Sequence, residues 1–262
     1  MTPPPPALIT SLVDGPSIVT AVEWFEACDS TNTIATVAAH DGAREGLLVV
    51  AGEQTAGRGR HGRSWVAPAG SSLLMSLLVR PVTPAPTHRL LPLLTGLVLA
   101  ETVARHLPDA DVALKWPNDL LVNGRKAAGI LVEGAAGAAI IGVGVNVDWR
   151  GVQRPPELSE ATSLAEEGGQ GVDRWRVLAG FAGVFSRRYD QWQELPAAFL
   201  DGYRQRCATL GRDVVVTGVD GQTIEGVAES VDREGALQLR RPDGTQVLIH
   251  AGDVQHLRGQ QE

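Results

Sequence analysis

A chain of 262 residues, 44% hydrophobic and 20% charged, can bury a sizeable core and has the composition of a globular protein. Its net charge of −7 works against the broad positive field of unspecific nucleic-acid binding, so no DNA partner is expected. Two cysteines without a C-x-x-C pair exclude a disulfide framework and a zinc motif. No basic leader or bilayer-length apolar run occurs, so a cytoplasmic protein without a membrane partner is expected.

In chain order, residues 1–16 are proline-rich and read as a flexible leader. Ser30-Thr31-Asn32, followed by Ile34, Val37, Ala38 and Gly42, predicts a helix capped by Ser30 or Thr31. Leu47–Ala51 and Ser72–Val79 are apolar runs fit for buried strands, and the glycine- and arginine-rich segment 54–65 lies between them. Residues 91–107 have helical spacing and stop at Pro108. Residues 112–116 read as a strand cut by Pro117, and 120–122 and 125–133 flank the hairpin signal Asn123-Gly124. A further strand over 138–147 precedes a stretch, 148–171, where periodicity fails; such a long irregular piece is functional or disordered. Trp175, Leu178, Phe181, Phe185, Tyr189 and Trp192 follow helical spacing, and 196–210 carries a second helix with Phe199, Tyr203 and Cys207 inward.

After Gly211 the texture changes. Asp213–Thr217, Thr223–Val231, 236–241 and 246–250 are short strands between the turns Asp220-Gly221, Glu234-Gly235 and Asp243-Gly244. They predict a small barrel of the SH3 kind with a boundary near residue 211.

Four segments carry chemistry. Gly57-Arg58-Gly59-Arg60-His61-Gly62-Arg63 satisfies the dinucleotide pattern G-x-G-x-x-G, but the Pro68-Ala69-Gly70 that follows prevents the helix that pattern requires. What remains is a loop bearing three guanidiniums, suited to carboxylate or phosphate oxygens. His61 reads as an exposed loop histidine rather than a base. In Lys115-Trp116-Pro117-Asn118-Asp119 the proline bends the chain and presents Lys115, Asn118 and Asp119 at a strand end. In the strand 125–133, Lys126 is costly unless it meets an anion, and Gly129 permits close approach of a ligand. Gly142-Val143-Gly144-Val145-Asn146 again places glycines in a strand, with Asn146 its polar handle. Of 23 basic residues only Lys115 and Lys126 are lysine, and both fall inside these segments. Codon bias explains the scarcity, yet a compact ammonium is not exchangeable with a guanidinium wherever a point charge is needed.

In this order and spacing the segments, with Gln54-Thr55-Ala56 before the arginine loop, resemble the biotin–protein ligases from about Val22 to the C-terminus. The chain is similar to the monofunctional class, because no N-terminal DNA-binding domain precedes the resemblance. The resemblance implies an α+β fold: a flexible leader over 1–16, a mixed-sheet catalytic domain with packed helices over 17–210, and an SH3-like β-barrel over 211–262. It implies ATP-dependent ligation of biotin to a lysine of a biotin carboxyl carrier domain, through biotinyl-5′-adenylate. Lys126, Arg58 and Lys115 would be catalytic. Ser30, Thr31, Asn32, Gln54, Arg58, Gly59, Arg60, Lys126 and Gly129 would bind biotin. Arg60, Arg63, Trp65, Lys115, Asn118 and Asn146 would bind ATP and the adenylate, and the irregular stretch 152–168 would order over it. Mg²⁺ is implied with ATP, but no ligand cluster is legible; Asn118 and Asp119 are the only candidates. A monomer or weak homodimer is implied. A lipoate or octanoate ligase or transferase of the same architecture is the alternative, and an adenylate-dependent repressor a more distant one.

Overall fold

The computed structural model describes residues 2–169, 171–218 and 221–257, so Asp220 of the expected turn lies outside the described residues. Helix α1 (Pro6–Val13) leads to β1 (Ala21–Phe25), α2 (Thr31–His40), β2 (Leu47–Ala51) and β3 (Ser72–Val79). Helix α3 (Leu91–Ala104) is followed by β4 (Val112–Lys115), β5 (Asp119–Val122), β6 (Arg125–Ala135) and β7 (Ala138–Asn146). Helices α4 (Arg174–Glu194) and α5 (Leu200–Arg206) precede β8 (Asp213–Thr217), β9 (Thr223–Val231), β10 (Leu237–Arg240), β11 (Gln246–Ile249) and β12 (Asp253–His256).

The first sheet has the order β1-β2-β3-β7-β6-β5-β4, and only its β1–β2 pair is parallel. Strand alternation gives it two unlike faces. Leu48 and Val50 of β2, Met75 and Leu77 of β3, and Ile141 and Val143 of β7 form one face, packed in the core with α3 and α4. Helix α3 is apolar on nearly all sides because α4 covers its outer surface. On α4 the rings of Phe181, Phe185, Tyr189 and Trp192 stack in series, 5.5–5.6 Å between centroids. Helix α2 covers part of the other face, with Ala35 and Ala39 on Leu47, Val49, Leu78 and Ile140. Beyond α2 that face carries Gly142, Gly144 and Asn146 and no helix, and the site forms there.

The second sheet is antiparallel, in the order β11-β10-β9-β8-β12. It is tied to the first by Trp116, whose backbone N–H donates to Thr209 Oγ1 at 3.0 Å and whose indole N–H donates to Gly235 O at 3.0 Å. Trp116 therefore serves as a buried peg between the sheets.

Several expectations need correcting. The supposed flexible leader contains helix α1, with Pro6 at its first turn and Leu12 buried against the core. Ser30 occupies the N-cap of α2, but its side chain makes no cap hydrogen bond. Gln54 does that work from outside the helix, its Oε1 accepting the Thr31 N–H at 2.7 Å. Helix α3 stops at Ala104 and α5 begins only at Leu200. Among the described residues no helix is long and apolar enough to cross a membrane.

Candidate functional site

The inner pocket is built from the N-terminus of α2, the arginine–glycine loop and the glycine-bearing strands. Its cavity of about 140 Å³ is lined by Ser30, Thr31, Asn32, Gln54, Trp65 and Lys126, among others. Arg58, Gly59, Arg60, Arg63, Asn118 and Gly129 also face it. A Cβ on Gly142 would stand 2.1 Å from Asn32 Oδ1, and one on Gly144 would stand 2.4 Å from the Trp65 indole. The glycines are thus required by the side chains laid on them. Deep in the pocket Ser76 Oγ lies 2.7 Å from Thr31 Oγ1 and 2.5 Å from Asn32 Oδ1. Gln54 Oε1 accepts the Thr31 N–H at 2.7 Å, with the Thr31 hydroxyl 3.0 Å away, so the Gln54 amide NH₂ is turned away from α2.

A β-bulge decides where Lys126 points. Simple alternation would place it with Ala128 and Ile130, on the face under α3. Instead Leu120 pairs with Ala128 and Leu121 pairs with Lys126, leaving Ala127 as an extra residue in β6. Ala127 and Ala128 both enter the helix-side core, and the phase of the strand shifts before them. Lys126 consequently joins Gly129 on the open face, three residues away, where its Nζ meets Asp119 Oδ1 at 2.7 Å and lies 5.7 Å from the Trp65 ring centroid.

The loop is fastened at both ends. Arg58 Nη2 donates to Glu133 at 2.6 Å, so its guanidinium is directed to the far end of β6, away from the Lys126–Asp119 pair. Arg60 Nη1 donates to Asn118 Oδ1 at 3.1 Å and to Gly252 O at 3.2 Å. Arg63 pairs with Asp253 at 2.6 Å. The second sheet therefore holds two of the three loop arginines. Burial pulls the Arg60 guanidinium below its ordinary value, and Asp253 opposes that shift. His61 is exposed, with φ +55.

An outer cleft of about 820 Å³ continues from the pocket and shares Trp65 and Lys126 with it. Lys115, Asn146, Ala161, Arg212 and His256 line its walls. Burial lowers the Lys115 ammonium; Asp119 raises it, whereas the nearby charge of Lys126 lowers it further. His256 is pushed down to about 4 by burial and by the charges of Lys115 and Arg212. Two buried polar atoms here lack partners among the described residues, the Trp65 indole N–H and Asn146 Oδ1. The Asn146 NH₂ is used by Thr162 O at 2.9 Å, which orients the amide and leaves an acceptor over. Within the irregular stretch, Thr162 N–H donates to Lys126 O at 2.8 Å and Leu164 N–H to Asn146 O at 2.9 Å.

Among the described residues no group of three or more His, Cys, Asp or Glu could hold a metal ion. Asp119, one of the two candidate ligands, is committed to Lys126, and Asn118 bonds Arg60 and donates to Ile130 O. The residues present do not form a resident metal site.

Sequence reasoning missed Glu133, Ser76, Asp253 and His256. Glu133 had a faint signal, a charge ending an apolar strand. Asp253 and His256 had none, because only folding brings β12 beside the loop.

The chain was compared with known proteins. Residues 24–148 match the biotin/lipoate A/B protein ligase family and residues 209–257 the biotin protein ligase C terminal domain. A biotin–[acetyl-CoA-carboxylase] ligase of Mycobacterium tuberculosis is 39% identical, over 87% of this chain and 86% of its own length. Another of that description, from Paracoccus denitrificans, is 36% identical over 84% and 94%. The solved biotin protein ligase from Aquifex aeolicus in complex with biotin and ATP superposes with a TM-score of 0.78 at 27% identity, covering 92% of this chain and 100% of that one.

Proposed function

The chain belongs to the biotin protein ligase family, and from that premise we infer that it activates biotin with ATP and transfers it to a lysine of a biotin carboxyl carrier domain. The observation that carries this reading is a polar pocket opening onto a larger cleft lined by Lys115, Arg125 and Arg212, with Lys126 at the junction.

In the first step a biotin carboxylate oxygen attacks the α-phosphorus of ATP; a P–O bond forms and the bond to the β-phosphate breaks, releasing pyrophosphate. Both reactants are anionic, so the site must neutralise charge and exclude water. Lys126 and Arg60 would do the first, and the loop with Trp65 the second. In the second step the neutral acceptor amine attacks the carbonyl carbon of the mixed anhydride and forms the C–N bond, the C–O bond to phosphate breaks, AMP leaves, and the amine gives up one proton to the departing phosphate or to water. Lys115, in the wall of the outer cleft, would meet the phosphates or the acceptor.

Ser30, Thr31, Asn32 and Gln54 supply the polar wall for biotin; Gly59 belongs to the loop over it, and the space above Gly129 is taken by the Trp65 indole. The lone indole donor and the lone Asn146 acceptor suit the ring acceptors and exocyclic amine of adenine, and Arg63 suits its phosphates. Magnesium enters with the nucleotide as Mg–ATP, part of the substrate, held by phosphates and water. We place the end of the catalytic unit near residue 210, with 211–262 as a C-terminal domain that backs the loop. Mass spectrometry of a carrier domain incubated with the protein, ATP and either biotin or lipoate tests the reading: a biotinyl adduct is expected, and transfer of lipoate alone overturns it.

A further inference from the structure

Glu133 stands behind the pocket, at the β6 position opposite Ile140. One of its oxygens, Oε2, accepts from Asn32 Nδ2 at 2.7 Å and from Arg58 Nη2 at 2.6 Å. These donors belong to separate parts of the site. Asn32 is a pocket wall residue on α2, only 4% exposed, and Arg58 belongs to the loop that covers the pocket. A single carboxylate oxygen therefore joins wall to cover.

The joint also orients both partners. With Nδ2 turned to Glu133 and to Leu131 O, Asn32 Oδ1 must face Ser76, which stands 2.5 Å away with Thr31 beside it. Thr31 in turn meets Gln54, just before the loop. A hydrogen-bonded circuit thus runs Arg58–Glu133–Asn32–Ser76–Thr31–Gln54, beginning and ending in residues 54–58. Its middle members are buried, where an unmatched polar group is costly, so displacement of one is felt by the next. Glu133 is the carboxylate within it and the counter-charge of Arg58. Without Glu133 the Asn32 amide can rotate and Arg58 loses its counter-charge, while the apolar packing of β6 is untouched.

We infer that Glu133 is a positioning residue that couples occupation of the inner pocket to closure of the arginine–glycine loop. A ligand ordering Asn32, Thr31 and Gln54 orders Arg58 through the same carboxylate. Coupling of this kind is reciprocal, so loss of Arg58 should weaken ligand binding by the factor that ligand binding no longer contributes to closure. The inference rests on the reading that the pocket takes biotin.

The test separates the two. Biotin binding to the wild-type protein is measured by calorimetry, and tryptic cleavage after Arg58, Arg60 and Arg63 is then followed at saturating biotin. The wild-type loop should be protected by biotin. Glu133→Ala should lose about three- to tenfold of that protection at saturation, with its thermal midpoint kept. Glu133→Gln, which keeps an acceptor for Asn32 but not the charge for Arg58, should fall between. A merely structural role would weaken affinity yet leave full protection once biotin saturates. Full protection in saturated Glu133→Ala, or no biotin-dependent protection in the wild type, overturns the coupling; absence of biotin binding overturns the functional reading instead.

Discussion

The two lysines of the chain have opposite environments, and that difference assigns them different work. Lys126 is held by Asp119 on the open face, a fixed cation at the mouth of the pocket. Lys115 is half-buried, and burial lowers its ammonium, with Asp119 opposing that shift and Lys126 adding to it. The glycines beneath Trp65 are equally specific in their requirement. Gly144→Ala would drive a methyl into the indole, 2.4 Å away. Trp65 sits on a loop and can lift, so the cost should fall on the nucleotide and not on the fold. We expect KM for ATP to rise about three- to tenfold, the worth of one aromatic contact, with a thermal midpoint close to wild type. Steady-state kinetics and thermal melts check both halves.

At the scale of elements, the β6 bulge is the structural device on which the chemistry depends. Inserting an alanine between Leu120 and Leu121 would give Ala127 a partner, restore regular pairing and turn Lys126 into the apolar layer under α3. An unpaired buried ammonium is costly, so this variant should lose activity and also melt well below Lys126→Ala, a comparison differential scanning calorimetry can make. The bulge was invisible in the sequence: two alanines in a row give no sign of which is extra. What periodicity could read was the strands themselves, because Leu47–Ala51, Ser72–Val79 and Thr223–Val231 carry their own apolar patterns. The motifs around Lys115, Lys126 and Gly142 were legible for the same reason, since glycine, proline and lone charges are costly in strands. Helix α1 was masked by its prolines, β1 by the mixed polarity of Ala21–Phe25, and β12 by its brevity. The cap of α2 was misread because its acceptor, Gln54, is distant in sequence and only adjacent in space.

The whole molecule works as two sheets closing on one loop. Asp253 reaches across from the second sheet to Arg63, an exposed pair worth no more than about 1 kcal/mol. Asp253→Ala should therefore speed tryptic cleavage in the loop of the ligand-free protein about two- to fivefold; unchanged cleavage would remove the second sheet from loop control. Acid should loosen the same junction. His256 Nε2 meets Thr209 Oγ1 at 3.1 Å, on the hydroxyl that receives the Trp116 N–H. Its folded pKa of about 4 lies below the ordinary 6.5, so the unfolded chain binds the proton more readily. Its contribution to stability is complete above pH 6.5 and is lost as pH falls towards 4. His256→Asn should flatten that part of the stability–pH curve in urea titrations, whereas an unchanged curve would show that the histidine is not held neutral.

The most direct measurement of the account is biotin-dependent exchange of labelled pyrophosphate into ATP, which reads the first chemical step without any acceptor. The wild-type protein should exchange, and Lys126→Ala should lose at least about a hundredfold of that rate, the scale of removing one group that stabilises developing charge, while melting at the wild-type temperature. Exchange in Lys126→Ala at close to the wild-type rate would contradict the assignment of the bulged lysine to the centre of the reaction.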